Sequence, residues 1–375
     1  MIRIIIGGDI YPAGTIQDAF IKGNADEIFH DMLREVSLAD LSVVNLECPL
    51  ISGDSPILKA GDVMAASWEC INGFVAAGWD LINLANNHSY DHGASGLRET
   101  IHVLDRAGLS VIGAGMNIAE AQRPFVKQIS GQRIVFYAMA EREFSEADEK
   151  TPGANPLDLI NFVKAIRLYK QEGIFIVFVH GGQEYYPYPS PEMIRRCRFM
   201  VDMGADAVIC CHTHCPLPWE IYSNRPIIYG LGNLIFESPH KEPEFWYEGY
   251  LARLTVEVGQ VHFEAIPYTQ SKNQLGSRMM DQTERNLFFA DMNEKSTKLN
   301  DDAFISNQWL NYCREKRRTY LASLFGYNRL MRKMPNALLR ILHSKKDILR
   351  ALHLVHCETH QEVLNTIFKE ERKSK

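Results

Sequence analysis

Among its 375 residues the chain has no Cys-x-x-Cys pair, no stretch of 18 uncharged apolar residues, no internal repeat and no low-complexity tract. The missing apolar stretch excludes an ordinary membrane-spanning helix. The opening Met-Ile-Arg-Ile-Ile-Ile run stops at Gly7-Gly8-Asp9, too short for the core and cleavage site of a secretory signal. A cytoplasmic location is therefore the expectation. The eight cysteines are expected as free thiols of a reducing compartment, since no paired spacing suggests a disulfide framework. Gly113-Ala114-Gly115 lacks the third glycine of a dinucleotide fingerprint and reads as a strand-to-helix turn. No nucleic-acid partner is expected.

What is present is enough apolar material for a large core: 46% hydrophobic against 23% charged residues. Such a balance excludes intrinsic disorder, and the length allows one large domain or two. The net charge of −6 is unevenly spread. Residues 311–375 hold 15 Lys and Arg against 6 Asp and Glu, a surplus of +9, so the rest carries −15. An acidic body with a basic tail suggests contact with an anionic surface or polymer, although lysines and arginines also simply solvate helices.

Short, nearly continuous apolar runs at 2–6, 41–45, 81–84, 110–112, 134–138, 174–179 and 207–210 predict buried strands. Helical patterns near 16–36, 65–77, 93–107, 156–171 and 191–203 alternate with them, and Pro191 after Ser190 suits a helix start. This order predicts an α/β domain with much parallel sheet. From 227 onward strand follows strand, at 227–229, 250–258 and 261–266, with a hairpin turn at Val258-Gly259. A two-sheet sandwich predicts that change; a purely doubly wound sheet does not. The expected organisation is a domain over 1–270, a polar linker or surface loop over 271–301 and a basic helical region over 302–375. In that last region Leu321, Leu324 and Phe325 share a face, as do Leu338, Leu339 and Leu342 after Pro335. Leu352 and Ile367 are also expected inside, and Thr359-His360-Gln361-Glu362 has the spacing of a capping box.

Nearly every expected strand of the first domain runs into a potential metal ligand. Asp9 follows the first, Asn45-Leu46-Glu47 the second and Asn86-Asn87-His88 the third. His180-Gly181-Gly182-Gln183-Glu184 and His212-Thr213-His214 follow two later strands. Ligands of open α/β sheets bind outside the carboxyl ends of the strands, so these loops should converge. Each motif alone has a plain structural explanation, a turn aspartate or a helix cap. Five at five equivalent positions point to a metal site. Carboxylate, amide and imidazole together suit Mn²⁺, Fe²⁺ or Zn²⁺, one or two ions. Glu184 and Tyr185 are expected to face the cleft, with Asn45 and Asn233 as further substrate contacts. Loops near 52–62, 141–155, 184–192 and 237–248 should form its walls.

These segments, with Asn45-Leu46-Glu47-Cys48-Pro49, Leu84-Ala85-Asn86-Asn87-His88 plus Asp91 and Gly93, and Tyr229-Gly230-Leu231-Gly232-Asn233-Leu234-Ile235-Phe236, resemble the CapA (poly-γ-glutamate capsule biosynthesis) family in order over roughly residues 1–270. The resemblance implies a calcineurin-like metallophosphoesterase fold, a four-layer α/β/β/α sandwich, here with a helical C-terminal appendix. It implies that Asp9 and His214 bind a first metal and that Glu47 bridges. Asn87, His180 and His212 would then bind a second metal, and His88, oriented by Asp91, would act as the catalytic histidine. The implied activity is metal-dependent phosphoester hydrolysis by an activated water, in capsule or surface-polymer synthesis. Two alternatives stand beside it: a non-catalytic accessory role in making an anionic polymer, and amide hydrolysis of a γ-linked polymer. Relatives of this kind typically carry an N-terminal membrane anchor that this sequence does not show. Three positions depart from the pattern: Tyr11 where a histidine is common, Glu47 in place of the shorter aspartate, and Cys211 where another histidine often stands. The first metal is therefore expected to bind the more weakly.

Overall fold

The computed structural model describes all residues except 172, 239, 273, 325–343, 374 and 375. Two sheets lie face to face, each covered by helices, giving the four-layer α/β/β/α order. The first sheet runs Ser277–Met279, Gln260–Gln270, Glu248–Glu257, Ile2–Tyr11, Leu41–Leu46, Leu81–Asn83, Ser110–Ile112, with Asn233–Phe236 parallel to the far end of Ile2–Tyr11. The second runs Trp219–Tyr222, Arg225–Ile228, Ala207–Cys211, Ile174–His180, Gln132–Ala140, Phe125–Ile129.

Strand periodicity explains the layering. Side chains alternate between faces. Ile4, Ile6 and Val43 thus join Phe136, Phe178 and Ile209 of the other sheet in a core between the sheets. Ile5, Val44 and Ile82 point the other way, onto Phe20, Phe29 and Phe74 of the covering helices. Val135, Val177 and Val208 do the same on the far side, against Phe162, Ile166 and Met200. Strands buried on both faces read as unbroken apolar runs, which is why they stand out in the sequence. Asp158 and Ser190 cap the helices Leu159–Tyr169 and Pro191–Asp202. The expected single helix over 16–36 is instead a chain of short ones, Gln17–Lys22, Ala25–Phe29 and Leu33–Ser37, the first ended by Gly23 in the left-handed region.

Residues 271–301, expected as a linker, form the strand Ser277–Met279 and the helix Gln282–Lys298, begun by a capping box between Asp281 and Glu284. Only Phe288 and Met292 of that helix are buried, which leaves too little apolar rhythm to reveal it. Beyond it lie helices Asp302–Leu324, Lys345–His356 and Glu358–Lys373. Trp309, Cys313 and Tyr320 of the first pack on Val363, Leu364 and Ile367 of the last, and on Tyr186 of the sandwich. Leu352, expected inside, is 45% exposed. The expected apolar positions Phe325, Leu338, Leu339 and Leu342, the helix start at Pro335 and the side chain of Leu321 lie outside the described residues. Thr359 and Glu362 do not pair as a capping box. Thr359 donates to Glu141 Oε1 (2.8 Å), and Glu362 accepts from Ser190 and from Glu192 N (2.9 Å). Both reach across to the sandwich, where their partners are desolvated and the bonds correspondingly stronger. All eight cysteines are free and buried. Among the described residues no helix is long and apolar enough to cross a membrane.

Candidate metal centre

Sheet register brings the ligands together. The first strand bulges between Ile6 and Asp9, and Asp9 then sits level with Asn45 on one side and Asn233 on the other. Glycine makes that approach possible. A Cβ on Gly8 would stand 2.0 Å from the Gly232 carbonyl oxygen. In the second sheet His180 is level with Cys211, so His212 and His214 follow directly alongside.

The sequence-assigned ligands converge. Asp9, Glu47 and His214 offer donor atoms all within 4.8 Å of one another, and so do Glu47, His180 and His212. Glu47 belongs to both groups. Asn87 Oδ1 is 2.9 Å from His180 Nε2, which also lies 3.1 Å from His212 Nδ1 and 3.4 Å from Glu47 Oε1. One ring proton cannot serve three lone-pair-bearing neighbours, whereas a cation can. Both Glu47 oxygens and His180 Nδ1 are buried without a hydrogen-bond partner. Orphaned polar atoms of this kind are costly unless something else completes them.

Electrostatics says the same. Burial, then the neighbouring Glu47, pushes Asp9 up to about 6, against the pull of His180, His214 and the His212 amide. Burial pushes Glu47 up to about 7 despite His214 and His88. Burial drives His180 down to about 4, opposed by Asp9, and His212 down to about 3, opposed by Glu143. Both imidazoles are thus neutral, the form that binds metal. His214 moves upward instead: burial opposes this, but Glu47, Glu184 and Asp9 outweigh it. Its Nδ1 is 2.8 Å from Asn233 Oδ1, which fixes the ring and leaves Nε2 free. His212 and His214 have positive φ of 99° and 53°, a backbone conformation costing roughly 1–3 kcal/mol per residue and kept where the surroundings enforce it. The donor set fits one or two divalent ions. Three donors serve the Asp9 side, and four, with Asn87, the His180 side. Tyr11, where a histidine would supply another, lines the cleft against Phe236, its phenol pushed by burial up to about 12.

Beside the ligands, His88 Nδ1 is 2.6 Å from Asp91 Oδ2. Asp91 also accepts from Lys59 Nζ (2.7 Å) and Met64 N (2.7 Å). Burial alone would raise the Asp91 carboxyl, but His88 and Lys59 hold it below the usual range. A cleft of about 840 Å³ opens over these groups. Its walls come from the four expected loops, with Lys59, Glu143, Glu184 and Glu237 among their contributions. Tyr185 stacks on Trp246 at 5.8 Å, and Glu184 approaches His212 Nε2 at 3.9 Å. Asn45 and Asn233, expected as substrate contacts, are fully buried instead. Asn45 Nδ2 donates to Asp9 Oδ1 (2.8 Å) while its own oxygen accepts from Asn83 (2.9 Å) and Asn86 (3.1 Å). Both asparagines position ligands. Lys59, Glu143 and Trp246 were expected only as parts of the wall loops, and the roof formed by His353, Cys357 and His360 was not expected. They stand in polar loops or helix turns where no period marks them.

The family description "Bacterial capsule synthesis protein PGA_cap" matches residues 3–238, which hold every ligand above but none of the C-terminal helices. The capsule biosynthesis protein CapA of Bacillus anthracis is 28% identical over 240 residues, 61% of this chain and 58% of that protein. The PGA biosynthesis protein CapA of Bacillus subtilis is 28% identical over 239 residues, 61% and 62%. A Mycobacterium tuberculosis protein described as a "Probable polyglutamine synthesis accessory protein" is 31% identical over 189 residues, 46% and 50%. The chain thus spans about half to three fifths of these relatives' lengths. Among solved structures, a hypothetical protein from Thermus thermophilus superposes with a TM-score of 0.46 at 16% identity, covering 72% of this chain and 99% of the other. The 5'-nucleotidase of Candida albicans gives 0.42 at 10%, covering 85% and 58%. With more than half of its length matched by that family description, the chain belongs to the bacterial capsule synthesis PGA_cap family.

Proposed function

We propose that this chain is a metal-dependent hydrolase of the phosphoesterase type, acting on a phosphoester or anionic polymer during capsule or surface-polymer synthesis. One observation carries the reading: the unpartnered Glu47 carboxylate belongs to two donor groups at once, next to a histidine held by a carboxylate. When bound, a pair of divalent ions supplies Lewis acidity and lowers the pKa of a water. Asp9, Glu47 and His214 would hold one ion; Glu47, Asn87, His180 and His212 the other. With Nδ1 engaged by Asp91, His88 has Nε2 left to give a proton to a departing oxygen. Lys59 keeps Asp91 anionic and so keeps that histidine oriented. Tyr185 and Trp246 form an aromatic wall that limits water on one side of the cleft.

Phosphate release from aryl and alkyl phosphoesters, with and without Mn²⁺, tests the reading. The expected result is metal-dependent release that His212→Ala abolishes while the circular dichroism spectrum is unchanged. Absence of release from every ester by protein shown to carry two ions would overturn it. A second reading, an accessory role in anionic-polymer synthesis, is favoured by the relatives' descriptions and by the +9 surplus of residues 311–375. It expects polyglutamate binding that weakens with salt as the Debye length shrinks from about 10 Å at 0.1 M to about 3 Å at 1 M.

A further inference from the structure

Among the described residues, metal-ligating side chains gather at one other place. Where the helix Lys345–His356 turns into Glu358–Lys373, His353 stands in the last turn, Cys357 at the corner and His360 in the first turn of the next helix. Their donor atoms lie within 4.8 Å of one another. The sandwich presents Glu143 to the same point, its Oε2 2.9 Å from His353 Nε2 and its Oε1 3.5 Å from Cys357 Sγ. Glu141 Oε2 is 3.6 Å from the same sulfur. Glu141, Glu143 and Cys357 are all buried.

At the centre of this cluster sits the Cys357 thiol. Cys357 has one S–H and faces two carboxylates. Two imidazoles, a thiol and a carboxylate converging from two helices and a loop make the number and kind of donors that zinc takes in tetrahedral sites. The surroundings prepare the ligands. Tyr320 Oη lies 2.6 Å from His360 Nδ1 and orients that ring, as partners of ligating histidines do.

We propose that His353, Cys357, His360 and Glu143 bind a further divalent cation of zinc type, which fastens the C-terminal helices to the sandwich beside the strand-end centre. Binding exchanges the Cys357 S–H proton, released to solvent, for a metal–thiolate bond. The thiolate selects a softer ion than the oxygen and nitrogen donors of the other centre, so the two places sort metals. Glu143 Oε1 also lies 3.5 Å from His212 Nε2, so one carboxylate faces both places. The proposal does not depend on the chain being a hydrolase.

Metal analysis and cobalt substitution of the full-length chain test it. Cobalt-loaded protein is expected to show a near-ultraviolet thiolate-to-cobalt charge-transfer band, retained in His214→Ala and lost in Cys357→Ser. Zinc content should fall by one equivalent in Cys357→Ser and in His360→Ala. In the wild type the segment around residues 345–373 should resist limited proteolysis with zinc and lose that resistance with chelator. His360→Ala keeps the thiol, so it separates loss of the site from loss of a buried cysteine. A wild-type protein without the band, or a Cys357→Ser protein with unchanged zinc content and an unchanged band, overturns the proposal.

Discussion

The sandwich and the C-terminal helices place chemistry in different ways. In the sandwich every proposed ligand sits at or just beyond the end of a buried strand, so backbone register sets its position. Asp9 is level with Asn45, and His180 with Cys211. The C-terminal helices reach the sandwich through side chains: Tyr186 among the aromatic residues, Arg142 with Glu358, and Glu362 with Ser190. A ligand set by register keeps its place whether or not a cation is present. One set by side-chain contacts between separate elements depends more on what joins them. Changing a single buried carboxylate should therefore cost metal and hydrolysis in the sandwich, and alter only docking in the C-terminal helices.

Glu47→Gln is expected to have the largest effect. Glu47 is fully buried with neither oxygen hydrogen-bonded, and it belongs to both donor groups. Its amide should sharply weaken retention of both cations and lower hydrolysis by roughly 10³-fold, the several kcal/mol that metal polarisation supplies. The same change should raise the melting temperature of the metal-free protein, since a buried carboxylate with no hydrogen bond is removed. Calorimetry with and without chelator reads both signs. A variant that loses stability without metal would mean that Glu47 has a structural partner in the empty site.

The next effect concerns the groups that hold no metal. His88→Ala should leave metal content unchanged and slow alkyl esters by about 10²–10⁴-fold, nitrophenyl esters less, because an acidic leaving oxygen needs no proton. Asp91→Asn should act in the same direction but more weakly, by disorienting His88 rather than removing it. Equal losses on both ester types would exclude proton donation by His88.

What the sequence disclosed follows the same division. Strands buried on both faces announce themselves as apolar runs, so the sandwich, its strand ends and the residues at them could be read directly. Asn45 and Asn233 could be placed near the site but were expected as substrate contacts, because whether an amide faces the cleft or the interior depends on neighbouring strands. The helix Gln282–Lys298 buries two side chains and so has almost no rhythm. Lys59 reaches Asp91 from a loop, and Cys357 reaches Glu143 across 214 residues. Such pairings arise only when separate elements dock, and no local pattern encodes them.

The smallest expected effect tests the docking of the C-terminal helices alone. Glu362 accepts from Ser190 and from Glu192 N, yet burial pushes it up to about 7, against those two bonds and with the help of Glu192. A carboxyl raised from 4.5 in the unfolded chain to about 7 in the folded one stabilises fully below the lower value. That contribution is lost as pH rises through the higher one. The wild type should thus lose about 1–3 kcal/mol between pH 5 and pH 8 from this group. Glu362→Gln, which is neutral throughout, should not. The two proteins should unfold alike near pH 5 and diverge in favour of the variant by pH 8, with hydrolysis unaffected. Should they differ by the same amount at both pH values, Glu362 is already ionised in the folded state and its bonds to the Ser190 helix start, not its burial, set its energy.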